Sequence, residues 1–389
     1  MSVGVIGTGF VGRGWAICLA RAGHEVRLWD PAPDAAEAAR TYIAEMLPDL
    51  AAADLLGGRA PDAVLERIRV APDMATAVRG ARHIQESAPE DLLLKTALFA
   101  ELDALADPGA VIASSSSALL PSAFTEGLAG AGRCLVAHPV NPPHLIPLVE
   151  LVPAPWTDEE TLARTETLMR EIGQSPVRLE REVDGFLLNR IQAAVLDEAF
   201  RLVDAGLASA DAVDACLRDG LALRWVFMGP FETIDLNAPE GVRDYVARYQ
   251  PMFRRLTDTM RESADWSGPV LDRIEADRRA RLPQEALRAR QMWRDRPADG
   301  ARRLPPPIPA ILGAPHGQAR SGHHHLRRDR RHPYAVHVAA PAYHARRDRG
   351  RRARRGRSRR LDPASACPQP RGRPPRPDGR GLHALSCRG

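Results

Sequence analysis

The opening residues constrain the fold more than any other feature of the chain. Val3-Gly4-Val5-Ile6 has the apolar run of a buried strand, Gly7-Thr8-Gly9-Phe10-Val11-Gly12 follows it directly, and Trp15, Ala16, Leu19 and Ala20 then mark a helix. A strand, a Gly-x-Gly-x-x-Gly turn and a helix in this order form the first unit of a dinucleotide-binding βαβ fold. The first glycine makes the tight turn, the second lets the backbone approach a pyrophosphate, and the third lets the helix lie close on the strand. The helix N-terminus then offers its amides and the positive end of its dipole to phosphate. Asp30 closes the second apolar run, Glu25 to Trp29, eighteen residues after Gly12. A carboxylate there accepts hydrogen bonds from the adenosine ribose and repels a 2′-phosphate, so the pattern favours NAD over NADP. Taken singly, the glycines also suit an ordinary strand-to-helix turn, and Asp30 a turn or a helix cap.

Short apolar runs alternate with helical segments to about residue 183, which predicts a Rossmann-type, doubly wound parallel sheet of the α/β class. Strands are expected at Val3 to Ile6, Glu25 to Trp29, His83 to Glu86, Ala110 to Ala113, Cys134 to Ala137 and Leu148 to Val152. The Ala-rich stretch from Ala32 to Ala63 reads as surface helix. From Asp184 the pattern is helical only: Leu187, Ile191, Ala194, Val195, Glu198 and Leu202 share one face, and Ser209 is placed to cap a second helix expected to stop at Gly220. The chain therefore divides into a nucleotide-binding domain (residues 1–183), a smaller all-helical domain (184–298) and a tail (299–389).

The tail accounts for the basic charge. Residues 301–389 hold 22 Arg, no Lys, four Asp and no Glu, a formal +18; since the whole chain carries +5, the first 300 residues stand at −13. Without Phe, Trp, Met or Asn the tail cannot bury enough apolar surface to offset its chain entropy, so disorder is expected. It reads as a nucleic-acid-binding arm, a plain solvated tail, or an out-of-frame translation of a GC-rich gene. The abrupt loss of Glu and of apolar periodicity after Leu287 to Arg294 favours the last, and a nucleic-acid partner would rest on this tail alone. Five scattered cysteines without a Cys-x-x-Cys pair suggest neither a disulfide framework nor a metal site. No apolar run reaches the roughly 18 residues of a membrane span, so a soluble protein of the reducing cytoplasm is expected.

Three features fall at predicted carboxyl ends of strands, where open α/β sheets bind ligands. They are the run Ser114-Ser115-Ser116-Ser117, then His138 in Ala137-His138-Pro139-Val140-Asn141-Pro142-Pro143, then Glu150 in Leu148-Val149-Glu150. Prolines keep His138 out of any helix. A histidine oriented by a carboxylate is suited to take a hydroxyl proton near neutral pH, as alcohol oxidation with hydride transfer to nicotinamide requires. The plainer alternatives are a loop histidine, an exposed strand glutamate and a serine linker; a Ser-His-acid hydrolase would need a Gly-x-Ser-x-Gly elbow, which is absent. Lys95 is the only lysine beside 53 arginines. That contrast points to a place needing a compact point charge, and Glu90, five residues earlier, is placed to pair with it.

In order, these residues resemble the 3-hydroxyacyl-CoA dehydrogenase superfamily, and within it the branch of L-gulonate 3-dehydrogenase and lambda-crystallin. The resemblance spans roughly residues 2 to 298. It rests on His83-Ile84-Gln85-Glu86, Pro89-Glu90-Asp91-Leu92, the block from Val136 to Pro143, the block from Ile146 to Val152, Phe186-Leu187-Leu188-Asn189-Arg190, and the run from Leu223 to Thr233. It implies that His138 is the general base, that Glu150 orients it, and that Ser117 and Asn189 hydrogen-bond the reacting substrate oxygen. It also implies that Glu90 and Lys95 lie by the nicotinamide end of NAD and that the helical domain makes a homodimer. The superfamily offers Asn-Thr before the catalytic serine where this chain has Ser115-Ser116, so the serine register follows from its spacing to His138, with Ser116 as fallback. Nothing in the family accounts for the tail.

Arg224 and Trp225 stand where the acyl-CoA branch has a shorter loop without arginine, and an arginine there suits a bidentate grip on a small carboxylate. The alternative for Arg224 is a structural ion pair. The expected reaction is NAD-dependent oxidation of the 3-hydroxyl of a small hydroxy acid, first L-gulonate to 3-dehydro-L-gulonate. A 3-hydroxyacyl-CoA, carnitine, and a crystallin-like NAD-binding structural role are the alternatives.

Overall fold

The computed structural model describes residues 1–260 and 262–295, so the tail and every reading of it lie outside the described residues. Eight strands, β1 (Ser2–Ile6), β2 (Glu25–Trp29), β3 (Ile68–Val70), β4 (His83–Glu86), β5 (Val111–Ser114), β6 (Cys134–Pro139), β7 (Leu148–Pro153) and β8 (Ser175–Arg178), form one sheet in the order β3-β2-β1-β4-β5-β6-β7-β8. The helices between them are α1 (Phe10–Ala22), α2 (Ala35–Ala52), α3 (Pro61–Leu65), α4 (Met74–Val78), α5 (Leu92–Leu105), α6 (Pro121–Thr125) and α7 (Glu159–Glu171). The order of strands reverses about β1 and β4, the arrangement of a doubly wound sheet.

Both faces of the sheet are covered, which is why the strands read as continuous apolar runs instead of alternating ones. Side chains alternate across it: Val5, Leu135 and Leu151 enter one core with Trp15 and Ile17 of α1. Ile6, Val136 and Val152 enter the other with Phe99 and Phe124. Helix α2 buries Ala36, Ala39, Ile43, Met46, Leu47 and Leu50, so the Ala-rich stretch has one core face and one solvent face.

Two strands escape a reading from sequence. β3 has only three residues, and β8 carries Pro176, which lacks an amide donor and is accommodated at the sheet edge. A third difference matters for the site. β1 to β6 run parallel, but β7 runs antiparallel to β6 and β8 is parallel to β7. The connection from Val140 to Pro147 is too short for the crossover of about a dozen residues that a parallel pair needs. Glu150 therefore does not sit at a carboxyl end: it is near the amino end of a strand that turns back beside β6.

From Leu188 onward the described chain is helical: α8 (Leu188–Asp204), α9 (Ala210–Ala215), α10 (Ala222–Trp225), α11 (Pro230–Leu236), α12 (Val242–Thr259), α13 (Gly268–Arg281) and α14 (Leu287–Asp295). Ser209 caps α9, its Oγ accepting the Ala212 amide at 3.3 Å. The helical path does not stop at Gly220. It passes through a π-helical turn, Cys216–Leu221, into α10, because the strong helix formers Leu221, Ala222 and Leu223 outweigh the roughly 1 kcal/mol that an interior glycine costs relative to alanine. Apolar side chains of this segment remain exposed, among them Ile191 on α8 and Val246, Tyr249, Phe253 and Leu256 on α12. Among the described residues no helix is long and apolar enough to cross a membrane.

Candidate active site

The nucleotide end is built by three glycines in three different environments. Gly7 has φ +90, and a Cβ there would lie 2.7 Å from the Ser87 carbonyl group. A Cβ on Gly12 would lie 2.0 Å from the Gly7 carbonyl oxygen, so this contact between α1 and the turn requires glycine. Gly9 differs: a Cβ there would meet nothing within 4 Å, leaving open space over the N-terminus of α1, whose first turn carries no acidic residue. This is the cradle a pyrophosphate needs. Asp30, half-buried at the end of β2, accepts the Thr8 amide at 2.7 Å, the Thr8 hydroxyl at 3.0 Å and the Ala32 amide at 3.0 Å. A carboxylate has about four acceptor positions, so Asp30 braces the glycine turn and retains room for a ribose hydroxyl. The residues present fit NAD.

The reacting end is made by the strand reversal. β6 and β7 place His138 directly opposite Glu150, and opposed residues of an antiparallel pair bring their side chains together on one face. His138 Nδ1 lies 2.8 Å from Glu150 Oε2, and both side chains are buried. The other carboxylate oxygen, Oε1, accepts the Leu187 amide at 2.8 Å and the Leu188 amide at 2.9 Å. A strand glutamate thus caps the start of α8, where negative charge meets the positive end of the helix dipole. Burial alone would raise the Glu150 carboxyl, but the hydrogen bonds from His138 and from the two amides outweigh it and hold the group below its ordinary value. With Nδ1–H directed at the carboxylate, Nε2 is the acceptor available to a substrate.

The four serines have four different surroundings. Ser114 Oγ donates to Glu86 Oε2 at 2.5 Å. Ser115 Oγ is bonded by Trp15 Nε1 at 3.1 Å, Gln85 Nε2 at 2.8 Å and Ser87 Oγ at 3.0 Å. Ser116 Oγ is buried and donates to Glu90. Ser117 is exposed, and among the described residues its hydroxyl has no partner. Asn189, on the first turn of α8, donates from Nδ2 to the Ser117 carbonyl at 2.7 Å, which joins the helical segment to the serine turn.

Glu90 and Lys95 do not pair directly, contrary to the expectation from their spacing. Lys95 is fully buried, and its ammonium donates to Glu86 Oε1 at 2.8 Å, Glu86 Oε2 at 2.9 Å and the Ala88 carbonyl at 3.3 Å. Glu90 instead gathers the serine turn, accepting from Ser116 Oγ and from the amides of Ser117, Ala118 and Leu119 at 3.2, 3.0 and 3.0 Å. Burial opposes its ionised form, yet the Ser116 bond, the Leu119 and Ala118 amides and the nearby Lys95 charge together lower its pKa. Arg224 lies exposed on α10, and among the described residues no hydrogen bond or ion pair ties it to His138, Glu150, Ser117 or Asn189.

Sequence reasoning missed Glu86, hidden as the last residue of a strand, and it missed Phe186. Phe186 is fully buried with φ +49, and its ring centroid lies 5.5 Å from that of His138. A bulky residue in this left-handed region costs about 1–2 kcal/mol, a signal that no sequence pattern carries. A cavity of about 360 Å³ lined by Met1, Arg82, His83 and Arg164 lies at the amino ends of β4 and β5, the opposite edge of the sheet. It has no glycine turn, and the histidine that lines it, His83, bonds the Gln85 amide oxygen at 3.1 Å instead of a carboxylate. Among the described residues no group of histidine, cysteine or acidic side chains is placed to hold a metal.

A glycine-turn nucleotide cradle beside a carboxylate-oriented histidine belongs to the NAD-dependent dehydrogenases, oxidoreductases acting on a hydroxyl carbon. Comparison with known proteins agrees and gives the family. Residues 2–183 match the model of the 3-hydroxyacyl-CoA dehydrogenase NAD-binding domain and residues 185–268 that of the 3-hydroxyacyl-CoA dehydrogenase C-terminal domain. The chain belongs to the 3-hydroxyacyl-CoA dehydrogenase family. It is 45% identical over 296 residues to a lambda-crystallin homolog of Bos taurus, covering 75% of this chain and 92% of the relative. It is 35% identical over 291 residues to L-carnitine dehydrogenase of Pseudomonas putida, covering 75% and 89%. Among solved structures, 5-formyl-3-hydroxy-2-methylpyridine 4-carboxylic acid 5-dehydrogenase, an NAD+-dependent dismutase, aligns with a TM-score of 0.66 at 27% identity, covering 78% of this chain and 97% of its own.

Proposed function

We propose that this chain oxidises the 3-hydroxyl of a small hydroxy acid, L-gulonate to 3-dehydro-L-gulonate in the first instance. The observation that carries the reading is the buried His138–Glu150 pair, joined across two strands at 2.8 Å. The resemblance to the L-gulonate 3-dehydrogenase and lambda-crystallin branch, carried by the run from Leu223 to Thr233, supports the choice of a free acid over a thioester. NAD, held by the Gly7–Gly12 turn, would supply the acceptor for the hydride of the hydroxyl-bearing carbon. His138 Nε2 takes the hydroxyl proton, and Glu150 holds the imidazole in the required tautomer and steadies the imidazolium. Ser117 Oγ and the Asn189 side chain hold the substrate oxygen. The Gly7–Gly12 turn with Asp30 holds the dinucleotide, and Glu90 and Lys95 shape the segment at its nicotinamide end. Arg224, free of other partners among the described residues, would grip the substrate carboxylate once the cleft closes on a ligand. Oxidation of L-carnitine is the second reading, favoured by the Pseudomonas relative.

The division into a nucleotide domain (1–183) and a helical domain (184–298) belongs to the same proposal. So does a homodimer formed through the exposed apolar side chains of α8 and α12. Cys18 and Cys134 are buried free thiols, which suits a cytoplasmic location. The test is NADH formation by the full chain with saturating NAD and, in turn, L-gulonate, 3-hydroxybutyrate, L-carnitine and 3-hydroxybutyryl-CoA, with His138→Ala as control. Turnover of L-gulonate that the variant loses supports the proposal. Preference for the CoA thioester overturns the free-acid reading and the role given to Arg224.

A further inference from the structure

The residues that join the sheet to α8 converge on one side chain. Phe186 is fully buried with φ +49, directly after Gly185 with φ +73. Its own amide donates to the Val183 carbonyl at 3.0 Å, closing a tight turn. Because two successive residues are left-handed, the chain reverses sharply, and the next two amides, of Leu187 and Leu188, both point at Glu150 Oε1. One residue further, Asn189 reaches the Ser117 carbonyl. Meanwhile the Phe186 ring lies tilted against the His138 ring, with centroids 5.5 Å apart and planes at 56°. Glycine would adopt this backbone without penalty, so the presence of a phenylalanine in a conformation it disfavours needs a reason that its ring supplies.

We propose that Phe186 is a positioning residue for the general base. Its backbone turn aims the Leu187 and Leu188 amides at Glu150, and its ring fixes the plane of the His138 imidazole. The inference rests on the reading of His138 and Glu150 as base and orienting carboxylate. Phe186 is fully buried, with its ring against His138, and acts through these two residues. Its ring contact is to His138 and its amide bond to Val183, with no hydrogen bond or ring contact among the described residues to the Gly7–Gly12 turn or Asp30, so its loss should leave dinucleotide binding intact.

The experiment uses the full chain with Phe186→Gly, which keeps the turn and deletes the ring, and Phe186→Val, whose β-branch opposes a positive φ. Each should lower kcat at least about tenfold, with the NAD dissociation constant changed less than about twofold. In a Glu150→Gln background Phe186→Gly should lower kcat by less than about twofold, since residues acting through one another are not additive. The His138 ring N–H resonance, located by difference from His138→Ala, should move in both Phe186 variants; this readout needs no substrate. If Phe186→Val does not fold, Phe186→Leu, which fills most of the same space, enters the same cycle. Additive losses, an NAD constant that rises in step with the fall in kcat, or an unmoved imidazole resonance would each overturn the inference. Full turnover by His138→Ala would instead overturn the underlying reading of the base, whatever the Phe186 variants do.

Discussion

Lys95→Met is the sharpest test of the buried network beneath the site. The substitution keeps the length and apolar stem of the side chain and deletes the ammonium that bonds both oxygens of Glu86 at 2.8 and 2.9 Å. Glu86 is then left charged and fully buried, and breaking such a pair from one side costs about 3–5 kcal/mol. Two donors remain to Glu86, the Ser114 hydroxyl and the Ala88 amide, each at 2.5 Å, so the loss should fall near the lower end, about 3 kcal/mol. At about 2–4 °C per kcal/mol for a domain of this size, the melting midpoint should drop by about 6–12 °C. Circular dichroism melts of the wild type, Lys95→Met, Glu86→Gln and the double variant measure it. The double variant should recover much of the loss, because replacing both partners removes the stranded charge. A Lys95→Met midpoint within about 2 °C of the wild type, or a double variant no better than the single, would refute the argument.

Three further outcomes follow from the geometry. Gly9→Ala should melt like the wild type, since its Cβ meets nothing, yet weaken NAD binding measured by titration, whereas Gly12→Ala should lose both because its Cβ would strike the Gly7 carbonyl. Ser117→Ala should lower kcat by about a hundredfold, as removal of a donor to a reacting oxygen does, with an unchanged melt; Ser116→Ala should destabilise the chain by releasing Glu90, and the reverse pattern would move the catalytic serine to position 116. Glu150 and Glu90 are both held below the ordinary carboxylate value of 4.5. The stability they contribute is therefore fully present above that pH and is lost as pH falls through their own lower pKa. Urea titrations from pH 7 downwards should show Glu150→Gln with a flatter decline in stability below about pH 4.5 than the wild type.

The parts legible in the sequence are those where local pattern and chemistry coincide. The glycine turn announces itself because three backbone requirements fall at fixed spacing, and His138 because prolines and apolar strand flank it. The partners of charged groups were less legible. Lys95 looked toward Glu90 along the chain, but an ion pair chooses by proximity in space, and Glu86 is nearer because β4 ends beneath α5. β3 and β8 went unseen because three residues and a proline-bearing edge carry too little pattern. The antiparallel turn of β7 was readable in principle from the short connection after Val140. Phe186 was not, since nothing in a sequence marks a residue held at positive φ against its preference.

The serine run carries one more consequence. Ser114 to Ser117 are four copies of one side chain, yet each hydroxyl meets a different neighbour: Glu86, then the Trp15–Gln85–Ser87 group, then Glu90, then open space. Position along the thread, not residue identity, assigns each its task. Replacing one serine by alanine disturbs a single task, whereas inserting or deleting one moves the Ala118 and Leu119 amides out of register with Glu90 while leaving composition nearly untouched. Such a length variant should lose turnover and stability together, more severely than any one of the four alanine replacements. A change of spelling in the tract therefore touches one task at a time, and a change of length touches several at once.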